Sequence, residues 1–286
     1  MFDRRLLIVS GKGGVGKSAV AASLALAAAQ SGKRVLALGM VDGLGLGLHL
    51  GVEELHHEPV RTSAGLLAAS VDRAKALDDY LKLQLRVPKA APTRQLTRAL
   101  AVLAETAPAI REIVSMGKPI YEAGRPEWDL VVVDAPPLGQ LISYLRAPAT
   151  LETLLPKGIV QRQAAVMRRY LAGASRTGLV LVTIPEELPI IETIESLDQL
   201  AEEPLIDLAG VVANRVLPEL AVETDIVAGV EDDAVRIAAV RHHALYEHQQ
   251  YWLRALDGAT PLPNLFGLLT PGEVAARLSA LWDIGS

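Results

Sequence analysis

The chain has 286 residues, half of them hydrophobic but only 4% aromatic, a formal net charge of −5 and no cysteine. The length suits one large domain, and a core so poor in rings must be built from Ala, Leu, Val and Ile, as in buried parallel strands. Lack of cysteine excludes disulfides, thiolate metal sites and cysteine nucleophiles, and lack of a basic stripe argues against a nucleic-acid partner. The longest apolar run, residues 19–29, is too short to span a bilayer, and no signal-peptide pattern precedes the first apolar run. A cytoplasmic location without direct membrane insertion is therefore expected.

Residues 6–9 form a continuous apolar run that predicts a buried strand leading into a Gly-rich loop. Residues 17–31, rich in Ala and Leu and stopped by Gly32, predict a helix, and residues 34–40 a second strand. A loop follows, marked by Gly43, Gly45, Gly47 and Gly51, and then a third strand over 66–71. Across 74–122 the apolar spacing becomes helical, as in Leu77-Leu81-Leu85 and Leu96-Leu100-Leu103, which predicts a helical insertion within a single 1–286 domain. Those stripes read either as core or as a groove for an apolar client. Beyond it, 129–133 predict a strand closed by Asp134, 151–171 a helix, 179–184 a strand and 188–200 a helix. A strand over 208–213 ends at Asn214, a long helix covers 232–256, and a short strand (261–265) and a helix (273–281) close the chain. The alternation predicts an α/β fold with a mainly parallel, doubly wound sheet.

The segment Gly11-Lys12-Gly13-Gly14-Val15-Gly16-Lys17-Ser18 matches the phosphate-binding P-loop: Gly, four residues, Gly, Lys, Ser, between a strand and a helix. Glycines let the backbone turn its N–H groups toward phosphates, and the helix that follows adds the positive end of its dipole. Lys17 suits the β- and γ-phosphates, and the Ser18 hydroxyl suits magnesium, so ATP with Mg2+ is the expected ligand. Lys12, not needed by an ordinary P-loop, reads either as a solvated surface lysine or as a cation that crosses a dimer interface to the partner's transferring phosphoryl group. No two histidines stand on a clear helix at the spacing of a metal pair.

Gly-Lys-Gly-Gly-Val-Gly-Lys-Ser resembles the deviant Walker A loop of the class that includes MinD, ParA and the ArsA/Get ATPases. The ten residues LVVVDAPPLG at 130–139 resemble the second switch of the ArsA/Get family, and 141–155, VTIPEELPIIET at 182–193 and VVANR at 211–215 fit its other segments. The chain thus resembles a P-loop NTPase of that family over most of its length. The resemblance implies a dimeric, ATP-hydrolysing enzyme whose nucleotide state opens and closes a surface on the helical insertion, in relatives a shield for membrane-protein segments or a coupling to an anion pump. It also implies that Asp134 holds magnesium through water and that Asn214 contacts adenine. Their plainer readings are a loop aspartate and a polar strand end.

The sequence departs from that pattern in places. The family's first switch carries Asp-Pro-Ala-His, whereas the stretch here is Gly39-Met40-Val41-Asp42-Gly43, with Asp42 the one available carboxylate. Asp42 reads as the residue that positions the attacking water, or as a turn aspartate before glycine. Leu138 replaces the second-switch threonine, and Gln140 stands where relatives are basic. Without cysteine, neither a thiolate arsenite site nor a zinc-stapled dimer is available, and Met116 is the single methionine of the insertion. The leading expectation is a homodimeric or heterodimeric ATPase acting on a hydrophobic membrane-protein client. The alternative is a nucleotide-binding regulatory subunit with weak or no hydrolysis, paired with a second ArsA-like ATPase.

Overall fold

A computed structural model describes residues 1–40, 43–79, 108–154, 158–222, 226–227 and 229–284. At its centre lies β1 (Leu6–Gly11), buried along its whole length and paired in parallel with β5 (Leu130–Asp134) on one side and β6 (Thr177–Thr183) on the other. β2 (Val35–Gly39) and β4 (Leu67–Ser70) extend the sheet beyond β5, and β7 (Leu208–Val216) and β8 (Thr260–Pro263) extend it beyond β6. A two-residue strand, β3 (Val60–Arg61), runs antiparallel at the edge next to β4, and every other pair is parallel. The order across the sheet is β3-β4-β2-β5-β1-β6-β7-β8. The expected α/β architecture is the one observed.

Alternation along the strands divides the core in two, because successive side chains point to opposite faces. Leu6, Ile8, Val131, Val133, Leu179 and Leu181 face the layer formed by helices α4 (Pro108–Ala123), α5 (Leu138–Leu154) and α6 (Ile159–Leu171). Leu7, Val9, Leu130, Val132, Val180 and Val182 face the layer of α1 (Lys17–Gln30), α2 (Leu44–His49) and α9 (Pro271–Ser279). Every residue of α1 from Ala19 to Ala28 is buried, so this helix has no solvent face. Its alanines allow close approach to sheet and α9, which accounts for an aliphatic core with few rings. α3 (Arg73–Asp79), α7 (Glu187–Glu202) and α8 (Asp233–Leu253) complete the described helices.

The structure differs from the sequence reading in three places, the first being the two-residue edge strand β3, which no apolar run announces. The glycine-marked stretch after β2 holds α2, not only a loop. Gly43 adopts φ 71° at its N-cap, and Leu46 and Leu50, four residues apart, are buried against the α1 layer. Its glycines serve close packing: a Cβ on Gly45 would stand 2.7 Å from the Ser18 hydroxyl oxygen, and one on Gly47 2.8 Å from the Val52 carbonyl oxygen. In place of the single helix expected over 151–171 there are two, α5, which begins thirteen residues earlier at Leu138, and α6, and Pro156, which has no N–H to continue a ladder, lies in the sequence between them. Of the expected insertion, α3 and α4 are described, whereas residues 80–107 lie outside the described residues. Leu77, Ile113, Val114 and Met116 are buried in the main core, which gives those members of the stripes a packing role.

Candidate functional site

The C-terminal ends of β1, β5, β6 and β7 come together at one edge of the sheet. Residues Val9 and Asp134 are paired across β1 and β5, and Gly11 is paired with Val182 across β1 and β6. A Cβ on Gly11 would collide with the Val182 carbonyl oxygen, so only glycine lets β1 leave the sheet there. The loop then enters α1 through Gly16, at φ 90°, with no side-chain cap on the helix. The free N–H groups of the first turn are thereby left for an anion, in agreement with the dipole of α1.

Lys17 Nζ lies 2.9 Å from the Lys12 carbonyl oxygen and donates to it, so in this state its ammonium folds back over the loop. Burial lowers the Lys17 pKa below the ordinary lysine value, and the neighbouring Asp134 carboxylate pulls in the opposite direction. The Ser18 hydroxyl donates to Asp134 Oδ2 at 2.6 Å. A hydroxyl and a carboxylate so close form a set of hard oxygens that fits magnesium, with the remaining positions open to phosphate and water. Among the described residues, no group of three or more His, Asp or Glu side chains forms a metal site of its own. The backbone after Asp134 is also tied to β1, since Ser10 Oγ donates to the Pro136 carbonyl oxygen at 2.7 Å.

Asn214, buried at the end of β7, reaches the same loop from a distance of 199 residues in sequence: its Nδ2 donates to the Val15 carbonyl oxygen at 2.9 Å. A Cβ on Gly16 would run into that amide nitrogen. A cleft of about 510 Å3 opens from Gly14, Lys17 and Ser18 past Asn214 to an apolar wall that includes Pro263 and Leu265. Lys12 pairs with Glu192 of α7 at 3.2 Å, with side chains 40% and 41% exposed. Asp42 lies outside the described residues. The described residues flanking it, Gly39 and Gly43, pack so tightly that a Cβ on Gly39 would stand 2.8 Å from the Gly43 Cα.

Of the residues singled out from sequence, the structure therefore brings together Gly11, Gly16, Lys17, Ser18, Asp134 and Asn214, and it sets Lys12 at the rim. Sequence reasoning missed Ser10, Glu192 and Arg215. Glu192 was visible only as one acid among several on a helix. The signal in Arg215 is conformational: it is the one non-glycine residue at positive φ (59°) among the described residues.

A family model described as anion-transporting ATPase matches residues 4–168. The chain belongs to the anion-transporting ATPase family. Its match to the ATPase BagA of Mycobacterium tuberculosis is 30% identical over 225 residues, 75% of this chain and 66% of that relative, just under two thirds of its length. An uncharacterized protein of Streptomyces coelicolor is 34% identical over 172 residues, covering 59% of this chain and 44% of its own. An ATPase of Babesia bovis named as an ASNA1 homolog is 22% identical over 248 residues, covering 75% of this chain and 67% of its own. The family match spans the phosphate loop and Asp134, so membership implies nucleotide binding by the part of the chain that holds the site. No helix among the described residues is long and apolar enough to cross a membrane.

Proposed function

We propose that the chain binds ATP with magnesium at residues 11–18 and hydrolyses it as a dimer, using its nucleotide state to bind or release a hydrophobic membrane-protein client. The observation that carries the reading is the joint placement of Lys17, Ser18 and Asp134 beneath an uncapped helix start, at the C-terminal edge of a parallel sheet. Lys17 would leave the Lys12 carbonyl for the β- and γ-phosphates, and the amides of Gly13 to Ser18 would cradle them. Magnesium, held by Ser18 and through water by Asp134, would neutralise charge that develops on the transferred phosphoryl group. Asn214 and the Pro263–Leu265 wall would take the adenine. Asp42 is assigned the attacking water on the family resemblance alone.

The dimeric part rests on Lys12. Its partner Glu192 lies in the same chain, and a half-exposed ion pair is worth only about 0–1 kcal/mol, so Lys12 is held loosely enough to swing toward a second subunit. A homodimer and a heterodimer with a related ATPase both satisfy that geometry.

The deciding experiment combines calorimetry with ATP and magnesium, steady-state hydrolysis, and sizing with a non-hydrolysable ATP analogue. Binding, turnover and analogue-induced dimerisation are expected. Lys12→Ala should retain binding and lose turnover, and Asp42→Asn should do the same. Binding without turnover in the natural chain would favour the regulatory-subunit reading, and absence of any affinity for adenine nucleotides would remove both.

A further inference from the structure

The strand that delivers Asn214 does not end regularly. Pairing between β7 and β8 shifts register between Ala213 and Val216, and inside this irregularity Arg215 adopts φ 59°. The left-handed region is disfavoured for a residue with a Cβ, and such a conformation persists only where its surroundings hold it. Asn214 and Arg215 are the two residues of β7 that line the cleft beside Gly14, Lys17 and Ser18. The strained backbone thus lies where the base of a nucleotide would sit.

β8 holds the segment at Val216, and the hold on Arg215 itself comes from α8. The Gln249 side chain spans the irregularity: its Oε1 accepts from the Leu217 N–H at 2.7 Å, and its Nε2 donates to the Arg215 carbonyl oxygen at 3.5 Å. One amide therefore bonds the chain on both sides of Val216, just past the register shift, where Val216 is again paired with Pro263 and its carbonyl oxygen accepts from the Asn264 N–H at 2.7 Å. About two helical turns earlier, His242 Nε2 lies 2.7 Å from the Pro218 carbonyl oxygen. No residue of α8 is fully buried, so Gln249 is not a piece of the apolar core. Its polar contacts are directed at the segment that follows the base cleft.

We propose that Gln249 is a positioning residue for nucleotide binding, a clamp that keeps Arg215 left-handed and thereby keeps the Asn214 side chain in the cleft. The inference rests on the nucleotide reading given above and adds a residue to it. The clamp acts on the base end only. The amides that face the phosphates are set by Gly11, Gly16 and α1, which Gln249 does not touch.

The test is a double-mutant cycle between Gln249→Ala and Arg215→Gly, read by calorimetry with two ligands: ATP and inorganic tripolyphosphate, each with magnesium. Glycine adopts positive φ without steric cost, so it removes the need for a clamp. In the natural chain, Gln249→Ala is expected to weaken ATP by about tenfold, the scale of a lost hydrogen-bonding partner plus a relaxed backbone, and to leave tripolyphosphate unchanged. In the Arg215→Gly background the same change should weaken ATP by less than about threefold, the mark of two residues acting on one feature. The proposal is overturned by unchanged ATP affinity, by a parallel loss of tripolyphosphate, or by an equal loss in both backgrounds. Failure of the natural chain to bind either ligand strikes instead at the nucleotide reading itself.

Discussion

The two ends of the cleft are built in different ways. The phosphate end is local: a run of eight residues supplies the turn, the lysine, the hydroxyl and the helix start, and its one distant requirement is Asp134. The base end is assembled from afar. Asn214 is bonded to Val15, Arg215 is bent into a left-handed conformation, and the bend is held by Gln249 from α8. Backbone amides need only the right local dihedrals, so a short motif can encode them. A shaped wall for a planar ring needs side chains from several strands and helices, and no short stretch can specify it. The two ends meet at a single point, where Gly16 leaves room for the Asn214 amide.

That meeting point gives the sharpest way to break the comparison. Gly16→Ala adds a methyl group at φ 90° against the Asn214 amide, and it should destabilise the fold by about 1–3 kcal/mol and abolish binding of ATP and tripolyphosphate together. Thermal melts and calorimetry on the same sample check both. Asn214→Ala comes next. It should weaken ATP by about tenfold, from the loss of a buried hydrogen-bonding group, and spare tripolyphosphate. Equal losses for the two ligands would mean that the two ends are one unit.

The pH dependence of binding separates the ends further. Burial lowers the pKa of Lys17, and the protonated form is the one that holds phosphate. Affinity for tripolyphosphate should therefore be full at neutral pH and decline as pH rises through that lowered pKa, earlier than the ordinary lysine value of about 10.4 would give. Lys17→Arg should remove the decline, and proton uptake on binding should be measurable in alkaline buffers of different ionisation enthalpy. The smallest expected effect lies at the rim. Glu192→Gln frees Lys12 from its half-exposed partner and should raise turnover by no more than about fivefold, with the difference vanishing at high salt. A fall in turnover would show that Glu192 supports catalysis in place of restraining Lys12.

Much of the fold was legible because the buried parallel strands are continuous apolar runs: residues 6–9, 129–133 and 179–184 all fall in β1, β5 or β6 or within a residue of them. The phosphate half of the site was legible for the same reason of locality. α2 was hidden because its glycines look like loop punctuation, when Gly45 and Gly47 are there for close approach to Ser18 and Val52. The base half was legible only at Asn214. Neither the dihedral of Arg215 nor the reach of Gln249 across 34 residues of sequence leaves a mark in composition or periodicity. The pairing of Lys12 with Glu192 is equally silent, because it depends on how far α7 lies from the loop.

The cover over α1 has a consequence for how such a chain is made. Ser23 of α1 accepts the indole N–H of Trp282 at 2.9 Å, across 259 positions, and α9 lies along the same helix. A ribosome adding about 5–20 residues per second needs roughly 13–50 s to travel that distance. For all that time an almost wholly aliphatic helix has been synthesised without the segment that later seals it, so the nascent chain has reason to recruit a chaperone before it can accept its first nucleotide.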